Sequence, residues 1–192
     1  MAGPLCIVVL GDSIGVGAPL TGDDRWWPQL RRLLEAALPG RSIVIDNWAV
    51  SGSQIDLLEA VARDPALGSY DVSIVFEGVN DVQVDLPIAA WQPRYEAAIA
   101  AIEAAGTTVI LATPPPQVSG DAFDTRFDAL AEAIRSLARS DRPTLDLAAR
   151  WRADGAIAAT SYYVDHIHQS AAGQARMATL ARDVVLKAVG RP

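Results

Sequence analysis

The chain holds only two histidines, His166 and His168, and both fall in one stretch, "YYVDHIHQSAAG". Imidazole is the side chain that accepts and returns a proton near neutral pH. Asp165 stands three residues before His168, close enough to meet its Nδ1 if the loop turns between them. A carboxylate in that place fixes the tautomer of the base and stabilises its charged form. What such a pair would activate is a hydroxyl, and "IVVLGDSIGVG" (7–17) offers Ser13 in a glycine-rich turn after an aliphatic run. A serine hydroxyl is a weak nucleophile until a base removes its proton. Attack on a carbonyl also needs donors for the oxyanion. The Ser13 backbone N–H, the N–H of Gly52 in "AVSGS" and the side-chain amide of Asn80 in "GVND" are the candidates. Each such donor is typically worth about 3 kcal/mol in a dry site.

Rival roles exist for these groups. Asp12 adjoins the nucleophile and competes with Asp165 as the orienting acid, although its expected work is to bond backbone N–H groups of its own turn. Asp81 is expected to tie down the "GVND" loop, and His166 to be a bystander. A phosphate-binding reading of the first turn fails, because no lysine stands near Ser13 for a Walker loop. The dinucleotide fingerprint fails as well: Leu20 or Val16 falls where a third small residue is required, even though Asp46 lies where a ribose-binding acid would sit.

The elements that must position these residues follow from periodicity. "LCIVVL" (5–10), "SIVIDNW" (42–48), "DVSIVF" (71–76) and "TTVILAT" (107–113) read as buried strands, and "TLDLA" (144–148) as a short fifth. Between them run helix-period segments. One carries Trp26, Trp27, Leu30, Leu33, Leu34 and Ala37, with Asp23 or Asp24 to cap it; of the two adjacent tryptophans, at most one is expected fully in the core. A short one is "SQIDLLEAVA", and another spans about 91–105 with Trp91, Tyr95, Ala98, Ile99 and Ile102 on one side. The next steps through Phe123, Phe127, Leu130, Ile134 and Leu137, and Ser170 caps a last helix. The Pro114–Pro116 run makes a rigid strand exit and a possible wall of the acyl site.

Aliphatic strands separated by amphipathic helices argue an α/β fold, a three-layer doubly wound sheet of about five parallel strands with helices on both faces. No repeat or linker interrupts it, so residues 1–192 are expected to form a single domain. Ligands in such sheets sit beyond the carboxyl ends of the strands. Ser13, Gly52 and Asn80 all follow strands, and Asp165 and His168 precede the last helix.

Composition excludes several functions. The net charge is −7 with the basic residues scattered, which argues against nucleic acid as a partner. A single cysteine, Cys6, rules out an intrachain disulfide and is expected to be a small buried hydrophobe. No apolar stretch approaches the ~20 residues of a membrane span. No secretory signal is visible, so a cytoplasmic location is the expectation.

The four blocks resemble the SGNH (GDSL-type) hydrolase superfamily, whose name residues match Ser13 in "GDS", Gly52 in "AVSGS", Asn80 in "GVND" and His168 in "DHIH". "GDS" alone is a weak signal; four blocks in order are a strong one. The resemblance implies a flavodoxin-like fold, a triad of Ser13, His168 and Asp165, and an oxyanion hole from Ser13, Gly52 and Asn80. It implies an esterase working through an acyl-enzyme on a small-molecule ester, with no metal or cofactor. The absence of a lid-sized insertion favours small acyl groups. A carbohydrate O-deacetylase is the first alternative, and a thioesterase or lysophospholipase the second. From a different class comes a protein that keeps the fold but only binds a ligand. One departure stands out: many relatives carry proline after the histidine, where this chain has Gln169, which is expected to loosen the loop.

Overall fold

The computed structural model describes residues 3–119, 122–123, 125, 127–155 and 160–190. Strands β1 (Leu5–Gly11), β2 (Ile43–Asn47), β3 (Val72–Phe76) and β4 (Thr108–Thr113) are followed by a small hairpin of β5 (Val118–Ser119) and β6 (Ala122–Phe123), then by β7 (Thr144–Asp146). The main sheet has the order β2-β1-β3-β4-β7, and every neighbouring pair is parallel. All five residues of β3 are buried, as a strand covered on both faces requires. The edge strand β2 behaves otherwise: Ile43 and Ile45 are buried while Val44 and Asp46 are exposed, the alternation of a strand with one open face.

The helices are α1 (Ser13–Val16), α2 (Trp26–Ala37), α3 (Ile55–Val61), α4 (Val79–Gln83), α5 (Ile88–Ala104), α6 (Asp128–Ser136), α7 (Leu147–Asp154) and α8 (Ala171–Ala188). Helices α2 and α8 pack together as one layer, while α3, α5 and α6 pack in sequence as another. Trp26, Leu30 and Leu34 of α2 are four residues apart and wholly buried. Each such side chain contributes about 1.5–3 kcal/mol of burial. Among the described residues, no helix is long and apolar enough to cross a membrane.

Several local expectations are corrected. Asp23 and Asp24 do not cap α2; they lie in a 3-10 turn (Gly22–Asp24), and the Trp26 N–H is instead taken by Gln174 Oε1 of α8 at 2.9 Å. Helix α5 begins at Ile88 and carries Pro93 within it. Phe123 is not in the helix with Phe127: its backbone pairs with Val118 in the hairpin, and α6 starts at Asp128. Cys6 is only partly buried.

Candidate active site

The order of the strands places β1 between β2 and β3, so the chain leaves β1 at the point where the sheet changes winding direction, the usual ligand crevice of this topology. Gly11 ends β1 opposite Phe76 with φ 117°, and a Cβ there would come within 1.4 Å of the Phe76 carbonyl oxygen. Only glycine fits. Asp12 then donates its N–H to Phe76 O at 2.8 Å and accepts the Ile14 N–H on Oδ1 at 2.9 Å, capping the one-turn helix that Ser13 begins. The far end of that turn is held too. Gly15 O accepts from Trp26 Nε1 at 3.0 Å and from Asn47 Nδ2 at 2.9 Å, and Val16 O accepts from Trp27 Nε1 at 3.2 Å. Trp26, wholly buried, also packs its ring on Phe76 at 5.2 Å between centroids. Both tryptophans therefore serve the serine turn, and Trp27 does so from a half-buried position.

The second component is the segment before α8. Tyr163 and Gln169 pair as an antiparallel bridge, Val164 N–H reaches His168 O at 3.0 Å, and Ser170 N–H reaches Tyr162 O at 2.8 Å. Within this closed loop Asp165 Oδ1 accepts the backbone N–H groups of Ile167 and His168, each at 2.7 Å. Its Oδ2 meets His168 Nδ1 at 2.7 Å, and His168 Nε2 lies 3.0 Å from Ser13 Oγ. With the Nδ1 proton on the Asp165 side, Nε2 faces the serine as an acceptor. Burial pushes the Asp165 carboxyl up, but the His168 N–H, the His168 ring and the Ile167 N–H together hold it below the usual carboxylate range. The expected loosening at Gln169 is not seen: its side chain is fully buried and donates to Ile167 O at 2.6 Å, bracing the loop from inside. His166 is exposed.

The loops after β2 and β3 complete the edge. The first docks on β1 through Val50 N–H to Gly11 O at 2.8 Å, then turns through Gly52 with φ 84°. Asn80 lies in the first turn of α4, and its Nδ2 donates to Ser53 O at 2.8 Å. An amide nitrogen carries two protons, so one remains for a ligand. Asp81 Oδ1 accepts the Ile55 N–H at 3.1 Å and so joins α4 to the start of α3.

Two of the buried acids, besides Asp81, lie beneath this edge. Asp12 is 1% exposed and Glu77 2% exposed. Burial pushes the pKa of both above the ordinary carboxylate range, and the Asp12 charge raises that of Glu77 further. Sequence reasoning missed Glu77 altogether, because an acid directly after an aliphatic strand reads as its solvated exit. Asp12, Ile14, Phe76, Glu77, Val79, Ala112 and Pro114 line a narrow recess there.

The family model for GDSL-like lipases/acylhydrolases matches residues 9–176, from β1 into α8. Among solved structures, the acetyl xylan esterase AlAXEase shares 20% identity at a TM-score of 0.80, covering 94% of this chain and 100% of that one. The lipase/acylhydrolase from Enterococcus faecalis shares 23% at 0.79, with 95% of each chain covered. A mutant of the acetylxylan esterase Axe2 from Geobacillus stearothermophilus shares 16% at 0.74, covering 100% of this chain and 97% of that one. These likenesses show a common fold. Among curated proteins, no relative of matching sequence is found.

Proposed function

The chain belongs to the GDSL-like lipase/acylhydrolase family, and from that premise we propose that it is a serine esterase hydrolysing short-chain, acetyl-type esters through an acyl-enzyme. The observation that carries this reading is the continuous line from Asp165 Oδ2 through His168 to Ser13 Oγ, with contacts of 2.7 and 3.0 Å. The whole chain acts as one catalytic domain. Ser13 Oγ attacks the ester carbonyl as His168 Nε2 takes its proton, and Asp165 stabilises the imidazolium through Nδ1. The oxyanion is received by the Ser13 N–H, the Gly52 N–H and the remaining Asn80 amide proton. The tetrahedral intermediate then collapses, breaking the bond to the alkoxide, which takes the proton from Nε2 and departs. Water enters, gives a proton to the same Nε2 and attacks the acyl carbonyl. Collapse of this second intermediate returns that proton to Ser13 and frees the acid.

A small acyl group is supported by the short connections around Ser13. For the alcohol part, the likeness to two acetyl xylan esterases favours a sugar, which makes O-deacetylation of carbohydrates the second reading. Thioesters and lysophospholipids rank behind both. The test is hydrolysis across p-nitrophenyl esters of increasing chain length, beside acetylated xylose and with fluorophosphonate labelling. Acetate to butyrate should exceed decanoate and longer esters in kcat/KM, and Ser13 should be the labelled residue. A kcat/KM that climbs steadily into the long chains would replace this reading with the lysophospholipase one. An unlabelled Ser13 would make the protein a binding module.

A further inference from the structure

Three carboxyl groups buried around the site, those of Asp12, Glu77 and Asp81, take no part in these proton transfers. Asp12 and Asp81 each spend an oxygen on a helix N-terminus, at Ile14 and Ile55. Glu77 does something else. Its Oε2 accepts from Ser53 Oγ at 2.8 Å, and its Oε1 accepts the N–H of the next residue, Gly78, at 3.1 Å. Ser53 is also held at its carbonyl, by Asn80 Nδ2 at 2.8 Å. One residue is thus gripped twice by the segment that follows β3, and that residue directly follows Gly52. The grip joins the loop that carries one oxyanion donor to the turn that carries another.

We propose that Glu77 is a positioning residue of the oxyanion hole, setting the Gly52 N–H against the Asn80 amide through Ser53. The proposal rests on the reading above, in which those two groups receive the oxyanion. The surroundings disfavour a charge on Glu77. Leu10, Trp48, Leu57, Leu58 and Val61 line one side of Glu77, and Phe76, Val79, Ala112 and Pro114 the other. The titratable groups that interact with it are Asp12 from the β1–α1 turn, Asp81 from α4 and Tyr95 from α5, and none of them brings a positive charge. His168 interacts with Asp12, and Arg142 with Tyr95, each at one remove. An isolated buried carboxylate is costly, and it neutralises instead. A charge in this place would also oppose the oxyanion forming above it.

The test measures kcat and KM on p-nitrophenyl acetate from about pH 6 to about pH 9 for wild type, Glu77→Leu, Glu77→Gln and Ser53→Ala, with thermal midpoints to show folding. Glu77→Leu and Ser53→Ala should lower kcat about tenfold or more while KM stays within about twofold, the mark of a group felt only in the transition state. Glutamine keeps an acceptor for Ser53 and cannot ionise. Glu77→Gln should therefore hold kcat within about threefold at neutral pH and remove the alkaline decline expected of wild type. Ser53→Ala carries the test if Glu77→Leu does not fold. Wild-type kcat in Ser53→Ala, or a Glu77→Gln variant as impaired as Glu77→Leu with an unchanged pH profile, overturns the proposal. Fluorophosphonate labelling separates the two levels. If wild-type Ser13 is not labelled, the esterase reading fails and takes this one with it; if it is labelled while the variants behave as wild type, only the positioning role fails.

Discussion

Asp12 and Asp165 approach the same Ser13–His168 pair from opposite sides, one beside the nucleophile and one behind the base. Asp12 is 1% exposed, and burial pushes its pKa up despite lowering contributions from the N–H groups of Ile14, Gly15 and Val79. The Asp165 side chain keeps 49% of its exposure; burial raises it as well, but hydrogen bonds from His168 and Ile167 outweigh that and hold it low. One acid resists carrying charge and the other carries it readily. Stabilising an imidazolium requires a carboxylate that stays ionised, which favours Asp165, the acid in contact with His168 Nδ1, for the proposed orienting role.

The largest expected effect tests that assignment directly. Asp165→Asn should favour the wrong imidazole tautomer and cut kcat by up to about 10⁴. Added to Ser13→Ala it should cost almost nothing more, since the members act as a unit. Asp12→Asn keeps an oxygen for the Ile14 N–H and should change activity far less. Single-turnover acylation rates for the set decide the matter. If Asp165→Asn acylates normally while a folded Asp12→Asn does not, the roles are reversed.

Next in size is Asn80, whose amide belongs to the buried side of the comparison. Asn80→Ala removes the proposed oxyanion donor and also frees the Ser53 carbonyl. A fall in kcat of roughly 10²–10³ with little change in KM is expected. Steady-state kinetics on p-nitrophenyl acetate would detect it, and activity within a factor of two of wild type would make Asn80 a turn residue only.

The exposed half of the site was the more legible in sequence. Asp165 and His168 share a loop, so a spacing of three residues is enough to suggest their contact, and the structure shows it. The strands were legible for a related reason: an aliphatic run has few places to go except a covered sheet, and β3 and β4 lie where "DVSIVF" and "TTVILAT" place them. The buried half depends on contacts between distant segments. Gln174 caps α2 from 148 residues away, and no local pattern marks a glutamine for that work. The Trp26 and Trp27 indoles read as packing, and only the folded chain shows their N–H groups on the carbonyls of the serine turn. Glu77 was hidden because its burial is set by what the neighbouring loops place over it. Phe123 shows the opposite failure, a helical period continued one step too far into a segment whose backbone pairs as a hairpin.

The smallest expected effect is on stability, and it follows the same division between the two acids. The folded-state pKa of Asp12 is raised above the ordinary aspartate value, so its contribution is fully present below that value and is lost as pH rises through the raised one. That of Asp165 is lowered below the ordinary value, so its contribution is present above it and is lost as pH falls through the lowered one. The thermal midpoint of Asp12→Asn should therefore gain on wild type as the solution goes from weakly acidic to alkaline. That of Asp165→Asn should gain on wild type only on strong acidification, and by less, because solvent screens a half-exposed pair. Scanning calorimetry of the three proteins across the pH range reads both trends. If Asp12→Asn and wild type instead run parallel from weak acid to alkali, Asp12 is ionised when folded, and the contrast with Asp165 collapses to one of exposure alone.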